Sequence, residues 1–185
     1  MTSAGVTATL AERWNGTSWT VQSTPNPIGG ENVNLTGVSC ASTTVCTAVG
    51  QYFGPHGRDL TLAERWNGGR WTIQPTPRPA GTRGIELIEL SGVSCPSTTA
   101  CAAVGSYYDS GSDRVVTLAE RWNGNGWTIE STPNPTGADV SELNGVSCAS
   151  STPNGWPWPS SAACTAVGSY ARYSSGDYGP LAERR

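Results

Sequence analysis

Apolar and polar positions alternate in short runs along this chain, and turn-forming residues separate the runs. In one stretch, 90–95 (LSGVSC) and 100–107 (ACAAVGSY) flank the turn PSTT. Next come 115–122 (VVTLAERW) and 127–130 (WTIE), joined through Asn123-Gly124 and closed by STPNP at 131–135. Period-two runs rich in β-branched and aromatic residues, bounded by such clusters, predict four consecutive strands. Asn-Gly accepts positive φ at little cost, which predicts a tight hairpin turn. Proline cannot donate to a ladder, so the closing loop stops the fourth strand. No window carries a 3.6-residue apolar period, and helix is expected to be nearly absent.

The same pattern repeats. LAERWNG occurs at 10–16, 62–68 and 118–124; GVSC at 37–40, 92–95 and 145–148; AVG at 48–50, 103–105 and 166–168; and LAERR at 181–185. The units run approximately 9–59, 60–116 and 117–180, with 181–185 starting a fourth, all within one repeat array. Four antiparallel strands recurring at roughly 50 residues fit β-propeller blades, whereas a β-solenoid usually repeats faster. The predicted fold is therefore all-β: tandem four-stranded antiparallel propeller blades, about three of them. Three blades cannot close a ring. Either the chain is a piece of a longer protein, or two chains pair into a six-bladed homodimer, inside the usual range of four to eight.

The order L-x-G-V-S-x…A-V-G…W-x-G-x-x-W-T resembles the blades of sialidase-type (Asp-box, BNR-repeat) propellers. It is also similar to propellers of the photosystem II assembly factor type and to secreted actinobacterial repeat proteins, which implies a bacterial source. The resemblance implies the blade fold and carries no activity. It departs from the Asp-box pattern at one position: Gly16 lies three residues before Trp19, but Trp14 stands where the Asp would be. The resemblance thus implies that the hairpin is kept and the Asp's cap on the turn is lost. The sialidase catalytic set has no matching positions.

Composition narrows the classes of function. Eleven basic and fourteen acidic residues give a net charge of −3, which argues against a nucleic-acid partner. All eleven basic residues are Arg. No run of 18 apolar residues is present, so no membrane span is expected, and the first residues carry no signal-peptide pattern. Six cysteines fall in pairs that bracket the first hairpin of each unit: Cys40/Cys46, Cys95/Cys101 and Cys148/Cys164. The third pair spans a much longer tip, which a cross-strand disulfide tolerates and a hairpin metal site does not. Disulfides are expected over metal, with reduced buried cysteines as the alternative. They point to an extracellular or cell-surface location, with no metal and no cofactor.

Two patterns recur in every unit. Glu12-Arg13, Glu64-Arg65 and Glu120-Arg121 lie in the third strand, where alternation puts Leu62, Glu64 and Trp66 on one face and Ala63 and Arg65 on the other. Structural ion pairs between adjacent units are the expected role. A carboxylate pair for glycoside hydrolysis is the alternative, but catalysis needs one asymmetric site and these residues repeat. Trp14/Trp19, Trp66/Trp71 and Trp122/Trp127 flank the Asn-Gly turns, either as hairpin clasps or as sugar-stacking platforms.

Strand order sorts the loops onto two rims. One carries the cysteine-bracketed tips and Asn-Gly turns, nearly constant between units. The other carries the second-to-third and fourth-to-first connections, which differ from unit to unit and can hold an asymmetric site. Candidate ligand-binding residues there are Tyr107, Tyr108, Asp109, Tyr170 and Tyr173, with His56, Arg58 and Asp113 nearby. DSGSD resembles a calcium loop only in composition, lacking the Gly and Glu of an EF-hand. Trp156 and Trp158, in the unrepeated insertion STPNGWPWPSS, would add a contact surface or fold back on the blade edge. The expected function is a secreted, non-catalytic propeller segment that binds a protein or carbohydrate ligand, or serves as a scaffold, through the variable rim. A fragment of a propeller glycoside hydrolase is the alternative, and a purely structural array is a third reading.

Overall fold

The computed structural model describes residues 7–55, 57–82, 87–149 and 163–184. Those residues form thirteen strands and no helix. They are β1 (Ala11–Trp14), β2 (Trp19–Gln22), β3 (Glu31–Ser42), β4 (Val45–Gly54), β5 (Arg58–Trp66), β6 (Trp71–Gln74) and β7 (Ile88–Ser97). Then follow β8 (Ala100–Asp109), β9 (Arg114–Trp122), β10 (Trp127–Glu130), β11 (Val140–Cys148), β12 (Cys164–Arg172) and β13 (Asp177–Arg184). The four runs predicted between 90 and 130 are β7 to β10, each extended by no more than three residues at either end.

All ladders but one are antiparallel. β3-β4-β5-β6 form one meander and β7-β8-β9-β10 another, while β11-β12-β13 repeat the first three positions and β1-β2 the last two. A single parallel bridge, Val140 to Val115, joins β11 to β9 and merges two of these groups into one larger sheet. Each meander is a complete structural cycle, so it straddles the boundary between sequence units cut at the LAERW motif.

The hairpin turns follow from the sequence. Gly16, Gly68 and Gly124 take φ of +103°, +92° and +96°, which only glycine adopts freely. The preceding Asn side chain accepts two backbone N–H groups. Asn15 Oδ1 takes those of Thr17 and Ser18 at 2.9 and 3.0 Å. Asn67 and Asn123 bind the equivalent residues at 2.9–3.1 Å. The turn cap implied to be lost with the Asp is thus present, supplied one residue later by Asn.

Neighbouring sheets stack face to face, and each interface uses the same residue types. Val49 and Ala63 of one sheet share a cluster with Val93, Cys95, Leu118, Trp122 and Trp127 of the next. Val104 and Ala119 meet Leu143 and Ala166 at the following interface, and Ala11 meets Ala48, Trp66 and Trp71 at the preceding one. The first strands come closest. A Cβ on Gly37 would lie 3.3 Å from Gly92 Cα, and one on Gly92 would lie 3.1 Å from Gly145 Cα. Backbone also bonds across: Cys95 N donates to Ser39 Oγ at 2.9 Å and Cys148 N to Ser94 Oγ at 3.0 Å.

A bulge recurs in each first strand, between Leu35 and Gly37, Leu90 and Gly92, and Leu143 and Gly145. Opposite it stands the Gly of AVG. A Cβ on Gly50, Gly105 or Gly168 would fall within 2.0 Å of the carbonyl oxygen of Asn34, Glu89 or Glu142. Real atoms cannot share that space, so AVG needs its glycine for proximity. Gly105→Ala is expected to cost about 3 kcal/mol or more in urea unfolding, at the top of the overpacking range. Gly126→Ala, where a Cβ meets nothing within 4 Å, is the control and should stay within about 0.5 kcal/mol. Equal stability of the two variants would contradict the bulge packing.

Candidate functional site

Each cysteine pair is bonded: Cys40–Cys46, Cys95–Cys101 and Cys148–Cys164, with Cα–Cα distances of 3.9, 4.0 and 4.0 Å. Cys40 faces Cys46 and Cys148 faces Cys164 directly in their ladders, so cross-strand opposition survives the longer third tip. These staples and the Asn-Gly turns make up the constant rim.

The glutamates and arginines do not form the expected bridges. Among the described residues the one ion pair is Arg121 to Glu130 at 4.0 Å, between adjacent strands of one sheet. Such a half-exposed pair contributes little. Arg65 instead lies over the Trp122 ring of the next sheet, 5.3 Å from its centroid, and donates to the Thr98 carbonyl. Arg13 repeats this over Trp66 at 6.0 Å, donating to the Thr43 carbonyl at 3.2 Å. The reason is the offset between facing sheets. The arginine arrives opposite the turn end of its neighbour, where it stacks and keeps part of its hydration. Glu120 sits deeper on that neighbour, and bringing the guanidinium to it would desolvate both charges.

Glu64 and Glu120 are fully buried, whereas Glu12 is exposed because no sheet covers its face. Both carboxyl oxygens of Glu64 and Oε2 of Glu120 lack a hydrogen-bond partner. Oε1 of Glu120 accepts from the Thr61 hydroxyl at 3.4 Å. Burial pushes Glu64 from an ordinary 4.5 up to about 7 and Glu120 up to about 8, the Thr61 bond opposing the second rise only in part. Glu183, at the same position in β13, is also raised by burial. A substrate cannot reach carboxyls closed off in this way.

The tryptophan pairs face each other across their hairpins with ring centroids 5.7–5.9 Å apart. At 6–8% exposure, Trp66, Trp71, Trp122 and Trp127 act as clasp and core and leave no free face for a sugar. Trp71 Nε1 also donates to Gln22 Oε1 of the preceding hairpin at 3.0 Å.

On the variable rim, the β8–β9 and β12–β13 loops lean on the connections that precede their sheets. Ser110 Oγ donates to the Gly81 carbonyl. Arg172 Nε donates to the Thr136 carbonyl at 3.1 Å, and Tyr173 N to Asp139 Oδ2 at 2.7 Å. Asp109 accepts from Gly111 N at 3.1 Å and from Ser112 Oγ at 2.6 Å, bonds that hold its carboxyl below the usual range. DSGSD is thus a self-capped turn. Tyr108 donates to Asp113, which carries a φ of +57°. Tyr107 is half-buried against the core and raised by that burial and by Asp109. Tyr170 packs under Arg172, whose guanidinium carbon lies 5.1 Å from the ring centroid. Tyr173 is exposed, as is Arg58 at the start of β5. Trp156, Trp158 and His56 lie outside the described residues.

Tyr52 is the residue that sequence reasoning missed. It lines a groove of about 220 Å³ with Thr61, Pro75, Pro77 and Ile88. The signal was available, because a tyrosine follows every AVG by two residues, at 52, 107 and 170. Acidic side chains also approach one another here: Glu89 of β7 is raised by burial and by the charges of Glu142 of β11 and Asp59 of β5, against a lowering bond from Ser91. Among the described residues no group of three or more His, Cys, Asp or Glu is placed to hold a metal ion. Compared with known proteins, the chain matches no family model and no curated protein.

The buried glutamates give a pH test. Below about pH 4.5 the carboxyl is protonated in both folded and unfolded chains, and nothing is lost. As pH rises the unfolded chain ionises first, so stability falls until the folded groups ionise near pH 7–8. The shift of Glu64 corresponds to about 3 kcal/mol at alkaline pH. Glu64→Gln and Glu120→Gln should match the parent at pH 4.5 and exceed its stability at pH 9 in urea unfolding, by about 3 kcal/mol and about 5 kcal/mol respectively. Variants weaker than the parent at both pH values would mean that these carboxylates are paired after all.

Proposed function

We propose that this chain is a secreted, non-catalytic segment of propeller-type repeats that binds a protein or glycan ligand through its variable rim. The observation that carries the reading is the division of labour between the rims. Disulfide positions, Asn-capped turns and tryptophan clasps repeat on one, apart from the longer Cys148–Cys164 tip, while the loops of the other differ from unit to unit. Meanders of identical strand order, stacked through their first strands, support the propeller-type assignment. Three disulfides support an oxidising, extracellular setting. The glycoside hydrolase alternative finds no support in Glu64 and Glu120, which are enclosed.

The test is binding to an immobilised glycan panel and a displayed-peptide library, comparing the parent chain with Tyr108→Ala/Tyr173→Ala. Both side chains lie on the rim, and Tyr173 is exposed. The double variant should lose affinity at least about tenfold, or about 1.4 kcal/mol, with an unchanged melting temperature. Full affinity in the variant, or no retained ligand on either panel, overturns the reading.

A further inference from the structure

The loop that leaves the fourth strand is built alike in the three units except at one residue. In each, two threonine hydroxyls bond across it: Thr9 to Thr24 at 2.7 Å, Thr61 to Thr76 at 2.8 Å and Thr117 to Thr132 at 2.7 Å. The later hydroxyl also donates to the carbonyl of the earlier residue, at 3.0, 3.1 and 3.3 Å. Two residues further on, the units part. Asn26 and Asn134 turn a side-chain oxygen back to the strand, accepting from Thr9 N at 3.1 Å and from Thr117 N at 3.0 Å. The middle unit has Arg78 at this place, and a guanidinium carries donors only. Thr61 N thus meets no acceptor among the described residues, although its hydroxyl and carbonyl are bonded as in the sister units. The fourth copy of the motif has Pro180 here, which has no N–H to satisfy.

The amide left over belongs to a groove. Thr61 and Arg78 line the groove of about 220 Å³ together with Tyr52, Pro75, Pro77 and Ile88. Arg78 is held at its wall, because Nε donates to Thr82 Oγ1 at 2.7 Å and that hydroxyl donates to the Pro79 carbonyl at 2.8 Å. A backbone donor without an acceptor, a permanent cation and apolar walls call for an anionic oxygen attached to an apolar group. The groove is smaller than the roughly 300 Å³ at which small-molecule clefts begin, so it suits one residue of a longer ligand. The Thr61 and Thr76 hydroxyls already bond each other, which leaves the hydroxyls of a sugar few partners.

We propose that this groove captures the C-terminal residue of a peptide. The terminal carboxylate accepts from Thr61 N, in the place that the Asn oxygen fills in the sister units, and lies beside Arg78. The apolar side chain of the same residue packs against Tyr52, Pro75, Pro77 and Ile88. Capture of a terminal carboxylate by backbone N–H groups is a recurrent mode of peptide recognition. The inference rests on the rim-binding reading, because the loop carrying Arg78 belongs to the variable rim, and it names the ligand there.

Fluorescence polarisation with a labelled hexapeptide ending in leucine tests this, using the free acid, its C-terminal amide and a glucuronate-terminated disaccharide as competitor. The free acid should bind at least about tenfold tighter than the amide. On binding, the Thr61 amide should shift in a nitrogen–proton correlation spectrum. Arg78→Asn installs the sister units' acceptor, so the variant should melt no lower than the parent and bind the free acid at least about tenfold more weakly. Four results overturn the proposal: equal binding of acid and amide, undiminished binding by Arg78→Asn, an unmoved Thr61 amide, or a disaccharide that binds more tightly than the peptide. A chain that retains ligands on the glycan and peptide panels but shows any of these loses this inference and keeps the rim-binding reading. A chain that binds neither the hexapeptide nor the panels loses both.

Discussion

The close approach of backbone to backbone along the first strands is the constraint on which the rest of the molecule depends. Gly37 and Gly92 bring successive sheets so close that a Cβ on either would lie 3.3 or 3.1 Å from the Cα of the glycine on the next sheet. At that separation Ser39 and Ser94 reach the amide of the neighbouring strand, and short residues such as Val49 and Ala63 fill the space behind. The bulge opposite Gly50, Gly105 and Gly168 serves the same end by turning the first strand while keeping its partner in register. The motifs GVSC and AVG are therefore parts of one packing device, although they lie on different strands.

With the inner strands fixed, the outer half of each sheet is held by longer side chains. Arg13 and Arg65 stack on the next sheet's tryptophan and tie down a turn carbonyl, while the tryptophans clasp their own hairpin. A buried carboxyl lies beneath each contact without a cationic partner. Burial pushes its ionisation up, to about 7 for Glu64 and about 8 for Glu120, the usual direction for an ionisable group enclosed without a counter-charge. Charge in this protein thus works at the margin of each interface and is disfavoured in its middle.

Much of the fold was legible in the residues. Period-two alternation and the Asn-Gly and Pro punctuation set the strands of β7 to β10, and the spacing of Cys148 and Cys164 pointed to opposed strand positions. What alternation could not give was the offset between facing sheets. It put Glu64 and Arg65 on opposite faces correctly, but said nothing of what each would meet, so a Glu–Arg bridge was expected where Arg65 meets Trp122. For the candidate site, alternation assigned Tyr107, Tyr108, Asp109, Tyr170 and Tyr173 to one rim. It could not show that Asp109 is occupied by its own turn, or that Tyr107 and Tyr170 are partly spent on packing. Side-chain reach across a loop is settled by tertiary contact, and a single sequence carries no trace of it.

The placement of the disulfides bears on how the chain reaches this state. Six cysteines can pair in fifteen ways, and only one arrangement joins each cysteine to its nearest neighbour in sequence. Short loops close with the least loss of chain entropy, so an oxidising chain samples Cys40–Cys46 and Cys95–Cys101 ahead of any link between units. Every native bond lies within one hairpin, and each can form as soon as its two strands have met in an oxidising medium. Oxidation then needs no finished assembly to guide it, and the array can be built from its first hairpin onward, each closed loop presenting a formed edge to the strands that follow.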